Sequence, residues 1–197
     1  LFGHTFIPLR RFPQVFPAVT SILLVQTVIF IMIFFSGHAG DTATWVQYGA
    51  LEGWRVDEGD YWRLLFSLFV HAHFLPFLFT SFSLYIFAPQ LEWLFGKISF
   101  LTIFFLTGVV GNWGIYYFEV SGVHLGASAS IYGFLGVYLY LYVRKVIDPQ
   151  SGRGLLILTL INLFFNFQYI TAHLLSLLVG FILAALMIYI KQLKNEE

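Results

Sequence analysis

Six stretches of this chain are apolar enough to lie in a bilayer, and that succession limits its fold more than any other feature. They cover about residues 16–35, 77–95, 98–118, 126–143, 155–167 and 170–190. A helix rises about 1.5 Å per residue, so roughly 20 apolar residues cross the ~30 Å hydrocarbon core. The fifth run is short of that length. Composition agrees with the pattern: only 10% of the 197 residues are charged, against about 25% in a soluble domain. Mean hydropathy is +0.82. The expected fold class is all-α: a polytopic membrane protein with six transmembrane helices, organised as a single domain over 1–197.

The ten cations test the count of six. With the first end inside, Arg10, Arg11, Lys97, Arg144, Lys145, Arg153, Lys191 and Lys194 all fall on the cytoplasmic side, and only Arg55 and Arg63 fall outside. This asymmetry has the direction of the positive-inside rule. Dropping one span would scatter the later cations to both faces. A cell-membrane, multi-pass protein with both termini cytoplasmic is expected. Arg10 and Arg11 precede an apolar run without a cleavage-site pattern, so no cleavable signal peptide is expected.

Residues 36–74 are too many for a tight turn. They mix Asp41, Glu52, Asp57, Glu58 and Asp60 with Trp45, Trp54, Tyr61 and Trp62, a combination suited to the headgroup region. A structured outer loop is expected there. Asp148-Pro149-Gln150-Ser151-Gly152 reads as an inner connecting loop, with proline and glycine as breakers. Zero net charge argues against a nucleic-acid partner. The lack of cysteine removes disulfides and thiolate chemistry.

Two residues point to chemistry. Ser128 stands in Gly126-Ala127-Ser128-Ala129, and His173 follows Ala172. Both lie in the first turns of runs that pass from outside to inside, Ser128 a little beyond Glu119 and His124, His173 a little beyond Asn166 and Gln168. They are therefore expected at similar, shallow depth. Alone, a serine in a membrane helix is ordinarily a packing or hydrogen-bonding residue. A histidine there is costly and marks function more often. Small residues supply the means of approach: Ala172, Ser176, Gly180 and Ala184 recur every fourth position, facing Ala129, Gly133 and Gly136 on the other run. Such patterns let membrane helices touch backbone to backbone. A serine within hydrogen-bond reach of an imidazole is an activated nucleophile with its base. None of the ten carboxylates lies in either run, so a dyad rather than a triad is expected.

His71 and His73 are spaced as a metal pair might be, but no nearby carboxylate or cysteine joins them, and a closed site lacks ligands. An interfacial or substrate-facing role suits them better. Glu119 and His124 read as loop-facing polar residues, and Asn112 as a helix–helix hydrogen-bonding residue.

Taken together, these segments resemble the rhomboid family of intramembrane serine proteases. The likeness runs from about Trp62 to Ala185. Tyr61-Trp62-Arg63 resembles the family's Trp-Arg motif of the first outer loop, and Ala88-Pro89-Gln90-Leu91-Glu92 with Gly96 resembles the end of its second helix. Gly126-Ala127-Ser128 resembles its nucleophile motif, and Ala172-His173 its base motif. The resemblance implies a six-helix bundle whose outward cavity admits water. It implies Ser128 as nucleophile, His173 as base and no cofactor. The implied substrates are transmembrane proteins whose helix enters from the bilayer near the fifth span. There are departures. Ala129 stands where the family usually has glycine, and Ser176 where it has another. Pro76 and Thr80 occupy the positions of a histidine and an asparagine that help stabilise the oxyanion. Proline has no N–H to give, which leaves Thr80, the Ser128 backbone N–H and the Gly126 turn as the expected oxyanion and substrate-binding elements. The alternative is a weakened or inactive rhomboid-like protein that binds membrane-protein clients. A channel ranks third, since few polar residues line the helices.

Overall fold

The computed structural model describes residues 8–36, 38, 40–118, 121–165 and 169–196. After a 3-10 turn at Leu9–Arg11 come α1 (Phe12–Val15) and α2 (Pro17–Phe35). The segment between α2 and α6, the expected outer segment, holds α3 (Thr42–Gln47), α4 (Gly53–Asp57) and α5 (Arg63–Phe66), the last running into a 3-10 turn at Ser67–Phe69. Then follow α6 (Phe74–Phe95), α7 (Lys97–Tyr117), α8 (Ser128–Val143), α9 (Pro149–Phe165) and α10 (Ile170–Glu196). Among the described residues, α2, α6, α7 and α10 are long and apolar enough to cross a membrane. The chain is a multi-pass helical membrane protein.

α8 is apolar but shorter, at 16 residues. That length is about 24 Å, less than the ~30 Å hydrocarbon core.

α9 corrects one sequence expectation. Residues 149–152 are not a connecting loop but the first turn of α9. The Asp148 carboxylate accepts the N–H of Ser151 at 2.9 Å, and this bond holds its pKa below the usual carboxylate range. Pro149 fills the first helical position, where its missing N–H costs nothing. The same residues that read as breakers are a helix start.

The outer segment is structured, as its composition implies. Arg63 is buried there, with Nη1 donating to the carbonyls of Val46 (2.6 Å) and Ala50 (3.0 Å) and Nε donating to Asp60 (2.9 Å). A guanidinium can be buried when its rigid fork of donors is met in this way. It also holds the Asp60 carboxyl below its usual pKa. Trp54, Tyr61 and Trp62 remain exposed.

Two seams hold the long helices. α7, α8 and α10 pack through small residues. α2 and α6 pack through rings and polar pairs: Phe30 stacks on Phe77 at 4.3 Å, and Gln26 Nε2 donates to Ser81 Oγ at 2.7 Å. At the end of this second seam, buried Glu92 accepts the N–H groups of Ala18 (3.0 Å) and Val19 (2.9 Å). Those are orphan donors of the first turn of α2, which has no side-chain cap of its own. Glu92 is therefore a helix cap supplied from 74 residues away, set against the positive end of a dipole. Gly96 then ends α6 at φ +82.

Candidate active site

The segment entering α8 is tied down before Ser128 is reached. His124 and Leu51 exchange both backbone hydrogen bonds, at 2.8 and 2.9 Å, joining this segment to the outer loop. His124 is buried against the edge of Tyr169 rather than facing a loop. Two residues on, the Gly126 N–H donates to the Ser67 carbonyl at 2.8 Å. Gly126 adopts φ +92, a conformation costly for any residue with a Cβ. Ser67 is held in turn by Asn112, whose Nδ2 donates to its hydroxyl (2.9 Å) and to the Leu64 carbonyl (2.8 Å). Asn112 thus joins α7 to the outer segment rather than to another long helix. α8 begins at Ser128 with no side chain capping its first turn, which leaves N–H groups there for a ligand.

Ser128 is exposed, whereas Ala129 and Ser130 are buried. His173 lies in the first turn of α10 and is buried. Its ring stacks on Tyr132, with centroids 3.9 Å apart and planes inclined by 16°. Tyr132 is four residues beyond Ser128, so the two share one face of α8. The stack therefore brings the imidazole against the face that Ser128 heads. Tyr169 meets the same ring edge-on at 6.0 Å. Among the described residues, no hydrogen bond joins Ser128 to His173, and His173 Nδ1 has no partner. Tyr132 was not singled out in the sequence, although its i+4 spacing from Ser128 is the signal that identifies it.

The close approach of α7, α8 and α10 follows from the small residues. A Cβ on Gly180 would strike the Gly133 carbonyl, and one on Gly136 would strike that of Leu177. A Cβ on Gly114 would lie 3.3 Å from the Ala172 α-carbon. The two departures beside the site are accommodated here. Gly111 receives the Ala129 methyl, which lies 2.6 Å from where a Gly111 Cβ would stand. The buried Ser176 hydroxyl lies within hydrogen-bond distance of two carbonyls, Ala172 at 3.0 Å and Thr107 at 3.1 Å.

Pro76 is exposed in the first turns of α6, and Thr80 is half-buried one turn later; among the described residues, neither makes a side-chain hydrogen bond or ring contact to Ser128 or His173. His73 is exposed and His71 buried, so the pair faces opposite ways. Among the described residues, no group of three metal-ligating side chains gathers. Glu119, Asn166 and Gln168 lie outside the described residues.

The family model of the rhomboid domain matches residues 58–190. Over 192 residues the chain is 35% identical to YdcA of Bacillus subtilis strain 168, a protein named for the rhomboid proteases; the match covers 93% of this chain and 94% of that one. It is 28% identical over 169 residues to the rhomboid protease GluP of the same organism, covering 83% of this chain but 33% of GluP. RHOMBOID-like protein 5 of Arabidopsis thaliana is 32% identical over 95 residues, which is 47% of this chain and 31% of the plant protein.

Proposed function

Because the chain belongs to the rhomboid family, we propose that it is an intramembrane serine protease in which Ser128 is the nucleophile and His173 the base. The observation that carries this reading is the stack of His173 on Tyr132, on the helical face headed by exposed Ser128. Ser128 Oγ attacks the scissile carbonyl while His173 takes its proton. His173 then returns that proton to the leaving amine. The Ser128 backbone N–H and the Thr80 hydroxyl receive the developing negative charge, and Gly126 supplies the turn that presents them. Substrates are membrane proteins with a spanning helix, entering from the bilayer. No cofactor takes part.

A serine-directed fluorophosphonate tests the assignment. It should label the protein, and Ser128→Ala should abolish both labelling and cleavage of a model membrane substrate. Labelling that survives this change would place the nucleophile elsewhere. The exposed Pro76 favours a second reading, a client-binding protein, for which the same assay gives client retention without labelling. For topology, we propose a cell-membrane location with both termini and residues 144–153 inside, and 36–74 outside. Single cysteines introduced into this cysteine-free chain should react from outside only within 36–74 and the other outer connections. An outward-reacting position 194 would break the six-span arrangement.

A further inference from the structure

At the end of α7 that adjoins the start of α8 lies a cavity of about 570 Å³, within the ~300–1,000 Å³ range of small-ligand sites. It opens between α4, the last turn of α7 and residues 121–124. Its wall carries two carboxylates, Glu52 and Asp57, and three aromatic residues, Trp54, Tyr116 and Tyr117. No lysine or arginine is among the described residues that line it. Tyr116 donates its hydroxyl to Asp57 Oδ1 at 2.7 Å, and Glu52 Oε2 accepts from Arg55 Nε at 3.2 Å. Each carboxylate keeps its second oxygen as an acceptor. Arg55, which is not part of the lining, shows what these residues hold. Its guanidinium lies 4.4 Å from the Trp54 ring centroid while it pairs with Glu52. Carboxylates among aromatic rings attract a cation by charge and by the ring quadrupole. His124 also lines the cavity and stands four residues before Ser128. Four residues of extended chain span at most about 14 Å, so the cavity wall begins within that reach of Ser128.

We propose that this cavity binds a lysine or arginine side chain of the substrate, about three to six residues from the cut bond, on the side where the substrate chain leaves the bilayer. The proposal rests on the Ser128–His173 reading above and adds a substrate preference to it. The long apolar stem of a basic residue lies along the rings of Trp54, Tyr116 and Tyr117, and its head reaches Glu52 and Asp57. A peptide suits the place because the wall includes residues that lead into α8. A chain lying at Ser128 is then held at two points, the cut bond and the basic side chain. Basic residues are the scarcer ones on the outer side of membrane proteins, so the preference discriminates among substrates.

The test uses two single-span model substrates that differ at one position, about four residues outside the cut bond, with lysine in one and glutamine in the other. With the parent in dodecyl maltoside micelles at low salt, kcat/KM should be about fivefold or more higher for the lysine substrate, chiefly through KM. Added salt should shrink that advantage. Moving the lysine to about twelve residues from the cut, beyond the reach of the cavity, should remove it. In Glu52→Lys combined with Asp57→Lys the preference should invert, so that a glutamate at the same position is cut faster than lysine. The readout is a ratio within one protein, so a variant that folds poorly still reports it. If the variant does not fold at all, the position and salt dependence of the parent decide. A parent that cuts both substrates equally, to within about twofold, overturns this site and leaves the protease reading standing, whereas a parent that cuts neither overturns both. A lysine preference that survives the charge reversal overturns the site. A preference present in micelles but lost in phosphatidylcholine nanodiscs would give the cavity to a lipid ammonium and overturn the peptide assignment.

Discussion

The seam joining α7, α8 and α10 and the seam joining α2 and α6 solve the same problem in opposite ways. In the first, backbone meets backbone: Gly133 against Gly180, Gly136 against Leu177, Gly114 against Ala172. Where Gly133 meets Gly180 and Gly136 meets Leu177, no side chain stands between the helices to rotate aside. In the second, rings meet rings, as in Phe30 on Phe77, and each ring has alternative rotamers. Without a hydrophobic drive between helices in lipid, the first seam gains from close packing, which only small residues permit. The second gains contact area while remaining adjustable. Ser128 and His173 stand on helices of the first seam, and Pro76 and Thr80 on a helix of the second. Under the function proposed above, the geometry of Ser128 and His173 is set by packing, while the proposed oxyanion side tolerates exchange.

The largest effect should come from matched intrusions into the two seams. Gly180→Leu drives a side chain into the Gly133 carbonyl, and should reach or exceed the ~3 kcal/mol upper end of ordinary overpacking. Phe30→Leu removes the close stack on Phe77 with the looser ring contacts to Phe34 and Phe74, and loss of the close pair should cost about 0.5–1.5 kcal/mol. Unfolding in detergent micelles gives both values, and equal losses would erase the distinction between the seams. Next is Pro76→His combined with Thr80→Asn. Each effective oxyanion donor is worth roughly 2.7–4 kcal/mol in the transition state, so turnover at saturating substrate should rise by about two orders of magnitude or more, with Ser128→Ala as the blank. A folded double mutant that cuts no faster would show that the adjustable seam does not limit the rate. The smallest effect concerns His71, where the two regions meet. Its pKa is about 4 in the folded protein against 6.5 in an unfolded chain. Between those values the unfolded chain takes up a proton that the folded one declines, so stability is full above pH 6.5 and is lost as pH falls towards 4. The slope is at most about 1.4 kcal/mol per pH unit. His71→Phe should flatten the pH dependence of the melting temperature over that interval, and an unchanged slope would assign it to other groups.

What the sequence disclosed follows from what is local. The four long spans were legible because about 20 apolar residues declare themselves without reference to the rest of the chain. The stripe of Ala172, Ser176, Gly180 and Ala184 was legible because helical periodicity makes a face from spacing alone, and all four are buried. Trp62 and Arg63 were found as a motif, but what Arg63 holds was not, since Val46 and Ala50 lie 17 and 13 residues away. Glu92 was placed near the end of its helix by resemblance, yet nothing nearby in sequence announces a partner 74 residues earlier. Residues 149–152 misled because proline and glycine signal breaks, and only the Asp148 cap shows that a helix begins there. Tyr132 was overlooked because its i+4 spacing from Ser128 tells which face it shares and not which ring stacks on it. His71 was weighed with His73 as a pair, when the backbone turns one inward and the other outward.

The cap that Glu92 lends to α2 sets an order of events during synthesis. When α2 first enters the bilayer, the carboxyl group that will meet Ala18 and Val19 has not yet been made. The first span therefore begins life with two donors unanswered, and it is completed only when α6 has been threaded back beside it. α2 is in this sense finished late, by a residue 74 positions beyond the N–H it caps. A fault anywhere in the outer segment that delays α6 would be felt first at the opposite end of the bundle, as an unsealed helix start awaiting its stopper.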